Sequence, residues 1–396
     1  MRVLVVTSPW PTHYFVMQPL AVALRAAGHD VLVAAQQSMS DLITRSGLPT
    51  VAVGGDVDLV EIRRRTLSEE LQAREAPADP GMEGGSAVFD SWREATLSNL
   101  DAVVNLARAW RPDLVVADTM SPSGLVAAQL LGVPGIRHLW GWDLLGSVDG
   151  ERVLAALPGF HEPYERYGLD IHGDPAIRTV DPCPPSMQPP ASPAKMPMQY
   201  VPYNGAGRVP DTLPRRQAGD RPRICLTWGR SISRIMGERA FLLPRIVRAV
   251  NGLDADFVVA IDASERGGLG HLPSNVQVLD SPPLHLLLES CDAIVHQGGS
   301  GTVFNAIRYG LPQLALTHMA DQDNISAAFA RAGAGIHMPG DAADEDAIRA
   351  SVMRLLDDRD MTEAADRLRA EMLAQPTPAR VAAELVELAP SAARPV

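Results

Sequence analysis

The chain of 396 residues is nearly devoid of lysine: Lys195 stands alone, and arginine supplies the rest of the positive charge. Acidic residues exceed basic ones, 47 to 35, for a net charge of −12. No long basic run offsets that sign, which argues against nucleic acid or an anionic membrane as the main partner. The three cysteines, Cys183, Cys225 and Cys291, lie far apart, with no CxxC and no HExxH anywhere. Cys225 and Cys291 flank apolar runs and are expected as reduced, buried thiols. No apolar run reaches transmembrane length, and a first strand starting at Arg2 leaves no room for a signal peptide. The expected location is therefore cytoplasmic. A GxGxxG fingerprint is also missing: Gly299-Ser300-Gly301 leads to Phe304 where the third glycine belongs, and the first strand runs into proline and tryptophan. That argues against a nicotinamide dehydrogenase.

What is present suits a soluble enzyme of two domains, with 46% hydrophobic and 21% charged residues. Strand-like and helix-like runs alternate in the first half. Strands are expected at 2–7, 30–35, 50–53, 113–118 and 135–139, with helices at 18–27, 38–46 and 89–110. Such alternation predicts a parallel sheet covered by helices on both faces. Residues 56–85 break the rhythm and read as a long loop, of a length that is usually functional or disordered. Proline is dense from 181 to 214, as in an interdomain linker and its flanks. A second series follows, with strands at 223–227, 256–261, 275–279, 292–295 and 313–316 and closing helices at 345–356, 361–373 and 378–388. The fold class is therefore α/β, two doubly wound domains facing across a cleft, with ligands at the carboxyl ends of the strands. The boundaries expected are 1–205 for a first domain, 206–221 for a linker, 222–376 for a second domain and 377–396 for a closing helix.

The most informative stretch is DAIVHQGGSGTVFNAIRYG, residues 292–310. A strand ends at His296, Gly298 and Gly299 turn, and Ser300, Gly301 and Thr302 open a helix that Gly310 stops. Free backbone N–H groups and the positive end of a helix dipole converge there with two hydroxyls and a histidine. That is a site for a phosphate or diphosphate. After the next strand come Thr317, His318, Asp321, Gln322, Asp323 and Asn324. A carboxylate beside an amide, Asp321 and Gln322, suits several hydroxyls of one sugar, although Asp321 suits N-capping equally well. In the first half, His13 follows strand one among Trp10, Thr12 and Tyr14. A histidine at a strand end is a candidate general base. Asp118 ends strand four, from where a buried carboxylate could orient the imidazole or cap the following helix.

His13, GHDV (28–31), Asp118, LGVP (131–134), HQGGSGT (296–302), GLPQL (310–314) and Asp321-Gln322 occur in that order. The set resembles the family 1 glycosyltransferases of GT-B fold, and within them actinobacterial enzymes that attach deoxysugars to natural products. DPCPPSMQ (181–188) and QYVPYNG (199–205) are similar to a rhamnosyltransferase of that group in particular. The resemblance covers nearly the whole chain. It implies an inverting, metal-independent transfer from a nucleoside diphosphate sugar, with no cofactor beyond that co-substrate, to a hydroxyl of a polyketide or similar aglycone. His13 would be the base and Asp118 its partner. His296, Gly299, Ser300, Gly301 and Thr302 would hold the diphosphate, and Asp321 and Gln322 the sugar. Residues 278–281, Leu279 among them, would face the nucleobase. The closing helix would pack back on the first domain, and a homodimer is possible.

The chain departs from the family pattern in places. After the first strand of the second half, Trp228-Gly229-Arg230 replaces the usual glycine-hydroxyl pair, so Arg230 would supply charge-assisted bonds to phosphate. Asn305 stands where many relatives carry a glutamate that holds both ribose hydroxyls, which favours a thymidine diphosphate donor. Before His13 the turn is Pro9-Trp10-Pro11-Thr12, where a glycine is common. For the acceptor, Trp10, Phe89, Trp140 and Trp142 are candidate walls, and Trp92 reads as core. A C-glycoside-forming enzyme, a sugar nucleotide epimerase of the same fold and an inactive auxiliary protein stay as alternatives. The aromatics and the long first-half loop speak against the epimerase.

Overall fold

The structure is a computed structural model that describes residues 1–65, 86–143, 158–171, 174–189, 194–208, 219–229 and 232–389. The chain forms two compact units. The first comprises Met1–Pro182, Pro189–Gln199 and Pro376–Val396, and the second Cys183–Gln188 and Tyr200–Gln375. The break thus falls at 199/200 rather than at 205, and the 183–188 stretch belongs with the second unit. Most of the expected linker, residues 209–218, lies outside the described residues.

The first unit is built on a seven-stranded parallel sheet. Its strands are β1 (Arg2–Val6), β2 (Asp30–Ala35), β3 (Thr50–Ala52), β4 (Leu114–Asp118), β5 (Gly135–His138), β6 (Arg178–Asp181) and β7 (Lys195–Pro197). Their order is β3-β2-β1-β4-β5-β6-β7. Of the last two strands, β6 leads into the proline-dense stretch at 181–214 and β7 lies within it. They are short, and β7 ends on Pro197 at the sheet edge, where a missing N–H costs no ladder bond. Val3, Leu4, Val6, Val115 and Val116 are buried, as strands covered on both faces require. Lys195 is itself nearly buried and pairs with Asp143 at 3.1 Å.

Two expectations for this unit need correcting. The first helix spans Pro11–Ala26, seven residues earlier than its apolar pattern implied, so His13 lies in its first turn rather than in a loop. Pro11 opens that helix, and its fixed φ suits the first helical position. Residues 59–65 are helical rather than loop, and Leu59 and Ile62 pack with Ala95 and Trp10. Residues 66–85 of the expected loop lie outside the described residues. At the other end, the Pro378–Leu388 helix buries Val381, Ala382 and Leu385 and packs on the Pro11–Ala26 helix. Thr377 caps it by accepting from the Arg380 N–H.

The second unit carries a six-stranded parallel sheet in the order β10-β9-β8-β11-β12-β13. These strands are β8 (Arg223–Thr227), β9 (Asp256–Ile261), β10 (Val276–Asp280), β11 (Ala293–His296), β12 (Gln313–Thr317) and β13 (Gly335–Pro339). The last has no counterpart in the sequence reading, because its residues are only partly buried at the sheet edge and lack a run of apolar side chains. Its core gathers Ile224, Leu226, Phe257, Val259, Val295 and Leu316. In each sheet the strand order reverses beside the first strand, between β1 and β4 and between β8 and β11. Ligands of doubly wound sheets bind at such reversals. Ser8, His13 and Asp118 sit at the first, and the Gly298-Gly299 turn at the second.

Candidate active site

In the first unit, β1 and β4 pair in parallel, which brings Ser8 and Asp118 to the same sheet edge. Asp118 is buried and well satisfied. Its Oδ2 accepts from the Ser8 N–H at 2.6 Å, the Ser8 hydroxyl at 2.8 Å and the Thr7 hydroxyl at 3.2 Å, and Oδ1 accepts from the Met120 N–H at 2.6 Å. His13 Nδ1 is 4.0 Å from Asp118 Oδ2, beyond hydrogen-bond reach, and 3.2 Å from the Ser8 hydroxyl. The expected pairing of His13 with Asp118 is therefore indirect, and Ser8, which the sequence reading passed over, stands between them.

The His13 imidazole stacks on the Trp140 indole, 4.2 Å between centroids and 9° from parallel. Trp10 lies at 6.2 Å on a tilted plane. Burial lowers the His13 pKa to about 4, with Asp118 pulling the other way. The ring is thus neutral at pH 7, as a base must be. Trp142 lies two residues beyond Trp140 and is half-buried. Phe89 falls within the Ser86–Trp110 helix, but its side chain lies outside the described residues. A second histidine, His138 at the end of β5, is fully buried; its Nδ1 donates to the Leu139 carbonyl at 2.8 Å, and burial lowers its pKa to about 4.

In the second unit, the turn after β11 has the anticipated backbone. Gly299 is the N-cap of the Ser300–Tyr309 helix, and Gly310 ends it in the left-handed region. The first N–H groups of this helix, on Ser300 and Gly301, have no carbonyl within it to bond. They remain available to an anion, beside the hydroxyls of Ser300 and Thr302. His296 plays a different part from the one expected. Its Nδ1 accepts from the Gly298 N–H at 2.9 Å, and its Nε2 faces Gln313 Oε1 at 3.0 Å. An Nδ1 that accepts leaves the proton on Nε2, where it meets a carbonyl oxygen. Both nitrogens are engaged, the ring is fully buried, and burial lowers its pKa to about 4. Here His296 shapes the turn rather than offering a free donor to phosphate.

Gly298 sits at φ +87, and a Cβ there would come within 2.6 Å of Thr317 Cγ2 and 2.9 Å of Ser326 Oγ. Replacing it by alanine is expected to cost about 1–3 kcal/mol of stability through left-handed strain alone. The displaced turn should also weaken nucleotide binding by at least about tenfold, equivalent to one mispositioned charge-assisted bond. Chemical denaturation and a nucleotide titration would check both.

Several donor candidates lie elsewhere than expected. Trp228 is fully buried in the core, its indole N–H donating to the Ala240 carbonyl, so it faces no ligand. Asn305 is fully buried too; its amide donates to the Tyr200 hydroxyl at 2.9 Å and to the Gly301 carbonyl at 2.7 Å. Held in this way, Asn305 is not placed to hold both hydroxyls of a ribose. Leu279 is buried on β10, and Arg230 lies outside the described residues. Gly229 is at φ +68, and a Cβ there would meet Gln297 Nε2 at 2.4 Å, which explains the glycine.

The sugar candidates sit in the first turn of the Ala320–Arg331 helix. Asp321 is exposed, and the N-cap is Met319 rather than Asp321. Gln322 is buried, and its Oε1 accepts from the His318 N–H at 3.0 Å, which leaves the side-chain NH₂ to donate. Asp323 bonds the Thr317 hydroxyl, and His337 from β13 joins both, 2.8 Å from Thr317 Oγ1 and 3.2 Å from Asp323 Oδ1. The sequence reading missed His337 because it missed β13.

Comparison with known proteins resolves what this geometry belongs to. Residues 22–229 match the N-terminal domain of the erythromycin biosynthesis protein CIII-like family, and residues 244–388 match its C-terminal domain. The chain belongs to that family. It is a family 1 natural-product glycosyltransferase of GT-B fold. The 10-deoxymethynolide desosaminyltransferase of Streptomyces venezuelae is 37% identical over 424 aligned positions, covering 100% of this chain and 99% of that protein. Tylactone mycaminosyltransferase of Streptomyces fradiae is 36% identical, covering 98% and 92%. Among solved structures, the spinosyn rhamnosyltransferase SpnG complexed with thymidine diphosphate superposes with a TM-score of 0.79 at 32% identity, covering 98% of this chain and all of that one. The same protein is also known with spinosyn aglycone. No described helix of this glycosyltransferase is long and apolar enough to cross a membrane.

Proposed function

We propose that this glycosyltransferase moves a deoxysugar from a thymidine diphosphate donor to a hydroxyl of a polyketide-type aglycone, with inversion and without a metal ion. The observation that carries the reading is His13: a neutral imidazole at the end of a sheet, clamped against Trp140, with Nδ1 turned inward to Ser8. Nε2 would take the proton of the acceptor hydroxyl as its oxygen attacks the anomeric carbon. The diphosphate leaves from the opposite face with the bonding electron pair, which inverts that centre. The free N–H groups and hydroxyls at Ser300, Gly301 and Thr302 would take up the departing charge, as fixed dipoles do without reorganisation. That arrangement performs the service a divalent ion performs elsewhere. Asp321 and the Gln322 amide would hold sugar hydroxyls, and Trp10, Trp140 and Trp142 would offer the aglycone apolar surface. The thymidine preference is supported by the nucleotide bound to a solved relative and by an Asn305 that offers no bidentate acceptor to a ribose.

A thermal-shift panel with thymidine, uridine and guanosine diphosphates and NAD tests the donor. A ligand at 100 times its dissociation constant adds about 2.7 kcal/mol to the state it binds. The thymidine nucleotide should shift the transition most. A larger shift with the uridine nucleotide would overturn the donor assignment while keeping the transferase.

A further inference from the structure

We propose that Ser8 is a positioning residue that couples Asp118 to the base: its hydroxyl accepts from His13 Nδ1–H and donates to Asp118 Oδ2, leaving the Nε2 lone pair for the acceptor proton. This deepens the reading above and rests on it. Distance makes the first part of the case. Nδ1 and Oδ2 are 4.0 Å apart, while Ser8 Oγ lies 3.2 Å from one and 2.8 Å from the other.

Donor counting completes it. A carboxylate can only accept, and a serine hydroxyl has one proton to give. That proton goes to Asp118. Oγ then presents a lone pair to Nδ1, and two lone pairs at 3.2 Å would repel, so Nδ1 must carry hydrogen. The neutral ring has only one N–H, and Nε2 is left as the basic nitrogen. The charged groups around the ring agree: Asp118 from β4 is the one that acts on His13, and His138 from β5 is neutral near pH 7. When Nε2 takes the acceptor proton, Nδ1–H stays on the ring, the Ser8 proton stays on Ser8, and Asp118 stays a carboxylate. No atom moves along the chain; only the positive charge on the ring is better stabilised.

A purely structural role for Ser8 is separable. Its backbone N–H already ties β1 to Asp118 at 2.6 Å, and that bond survives loss of the hydroxyl. Ser8→Ala therefore removes the coupling and leaves the tie. Ser8→Thr keeps the hydroxyl.

The experiment combines turnover with ring-nitrogen NMR of the full-length protein labelled at histidine, the His13 signals being assigned by their loss in His13→Gln. The wild-type His13 should be the Nδ1–H tautomer, and Ser8→Ala should populate Nε2–H. Ser8→Ala should lower kcat about 10- to 100-fold, at or below the lower end of what a whole acid–base group contributes, with the donor KM unchanged and Ser8→Thr restoring most of the rate. Ser8→Ala combined with Asp118→Asn should be no slower than Asp118→Asn alone, since both break one chain. An Nε2–H tautomer in the wild type, full turnover in Ser8→Ala, or rate losses that multiply in the double variant would each overturn the relay. If His13→Ala is inactive while Ser8→Ala is not, the relay alone fails. If His13→Ala turns over normally, the functional reading fails, and the wild-type tautomer still decides the relay.

Discussion

His13→Ala is expected to lower kcat by about 10²- to 10⁴-fold, the span that a positioned general base contributes, while thymidine nucleotide binding stays within error of the wild type. The two halves of that expectation have separate physical sources. In the proposed reading the rate depends on a neutral imidazole whose Nδ1 is engaged at Ser8 and which stacks on Trp140. Nucleotide binding would depend instead on groups at 298–302, which contain no part of the His13 cluster. Initial rates at saturating donor and a nucleotide titration, on the same preparation, measure both. Turnover equal to that of the wild type would remove His13 from the chemistry. Loss of nucleotide binding would mean that the substitution acts on structure instead.

Acid should destabilise this protein well above the usual carboxylate range. His13, His138 and His296 are fully buried, and burial lowers each pKa from 6.5 to about 4. The sign follows from proton counting. Between pH 6.5 and 4 the unfolded chain binds a proton at each site and the folded chain does not, so stability rises with pH across that window and falls as pH drops through it. Above pH 6.5 the contribution is fully present. Each histidine accounts for at most about 3 kcal/mol between the two limits. His13 and His138 belong to the first unit and His296 to the second, where half-buried His285 and His318 are also held low by burial, so both units should weaken in this window. Denaturation midpoints from pH 7 down to 4, with one tryptophan probe per unit, would check this. A flat stability across that window would mean that the buried rings open to water without global unfolding. His138→Gln should flatten the slope for the first unit and leave the second unchanged.

Much of this molecule could be read from the chain itself. Alternating apolar strands and amphipathic helices dictate two parallel sheets, because strands buried on both faces need continuous apolar runs. The turn at 296–302 announced its backbone, since only glycine accepts the φ of +87 found at Gly298. Where patterning was weak, reading failed. The edge strands β7 and β13 are short and partly solvated, and β6, though paired on both sides, has Val180 as its one apolar residue, so none carries a period. The first helix started at Pro11 although its apolar stripe begins later, because proline at the first helical position counts for more than periodicity there.

The side-chain assignments divide in the same way. Residue type and order sufficed to place His13, Asp118, Ser300, Gly301, Thr302, Asp321 and Gln322 at or just beyond the carboxyl ends of strands. What each side chain actually touches was decided only when strands distant in sequence came together. The pairing of β1 with β4 inserted Ser8 between His13 and Asp118, a contact across 110 residues that no local spacing encodes. Packing of the helix after the turn turned Asn305 inward to Tyr200, and the pairing of β11 with β12 gave His296 to Gln313. The sequence by itself determined the elements and the chemistry available at their ends, because periodicity and turn stereochemistry are local. The tertiary structure alone decided which groups are free to act, because a hydrogen bond has one partner and burial chooses it.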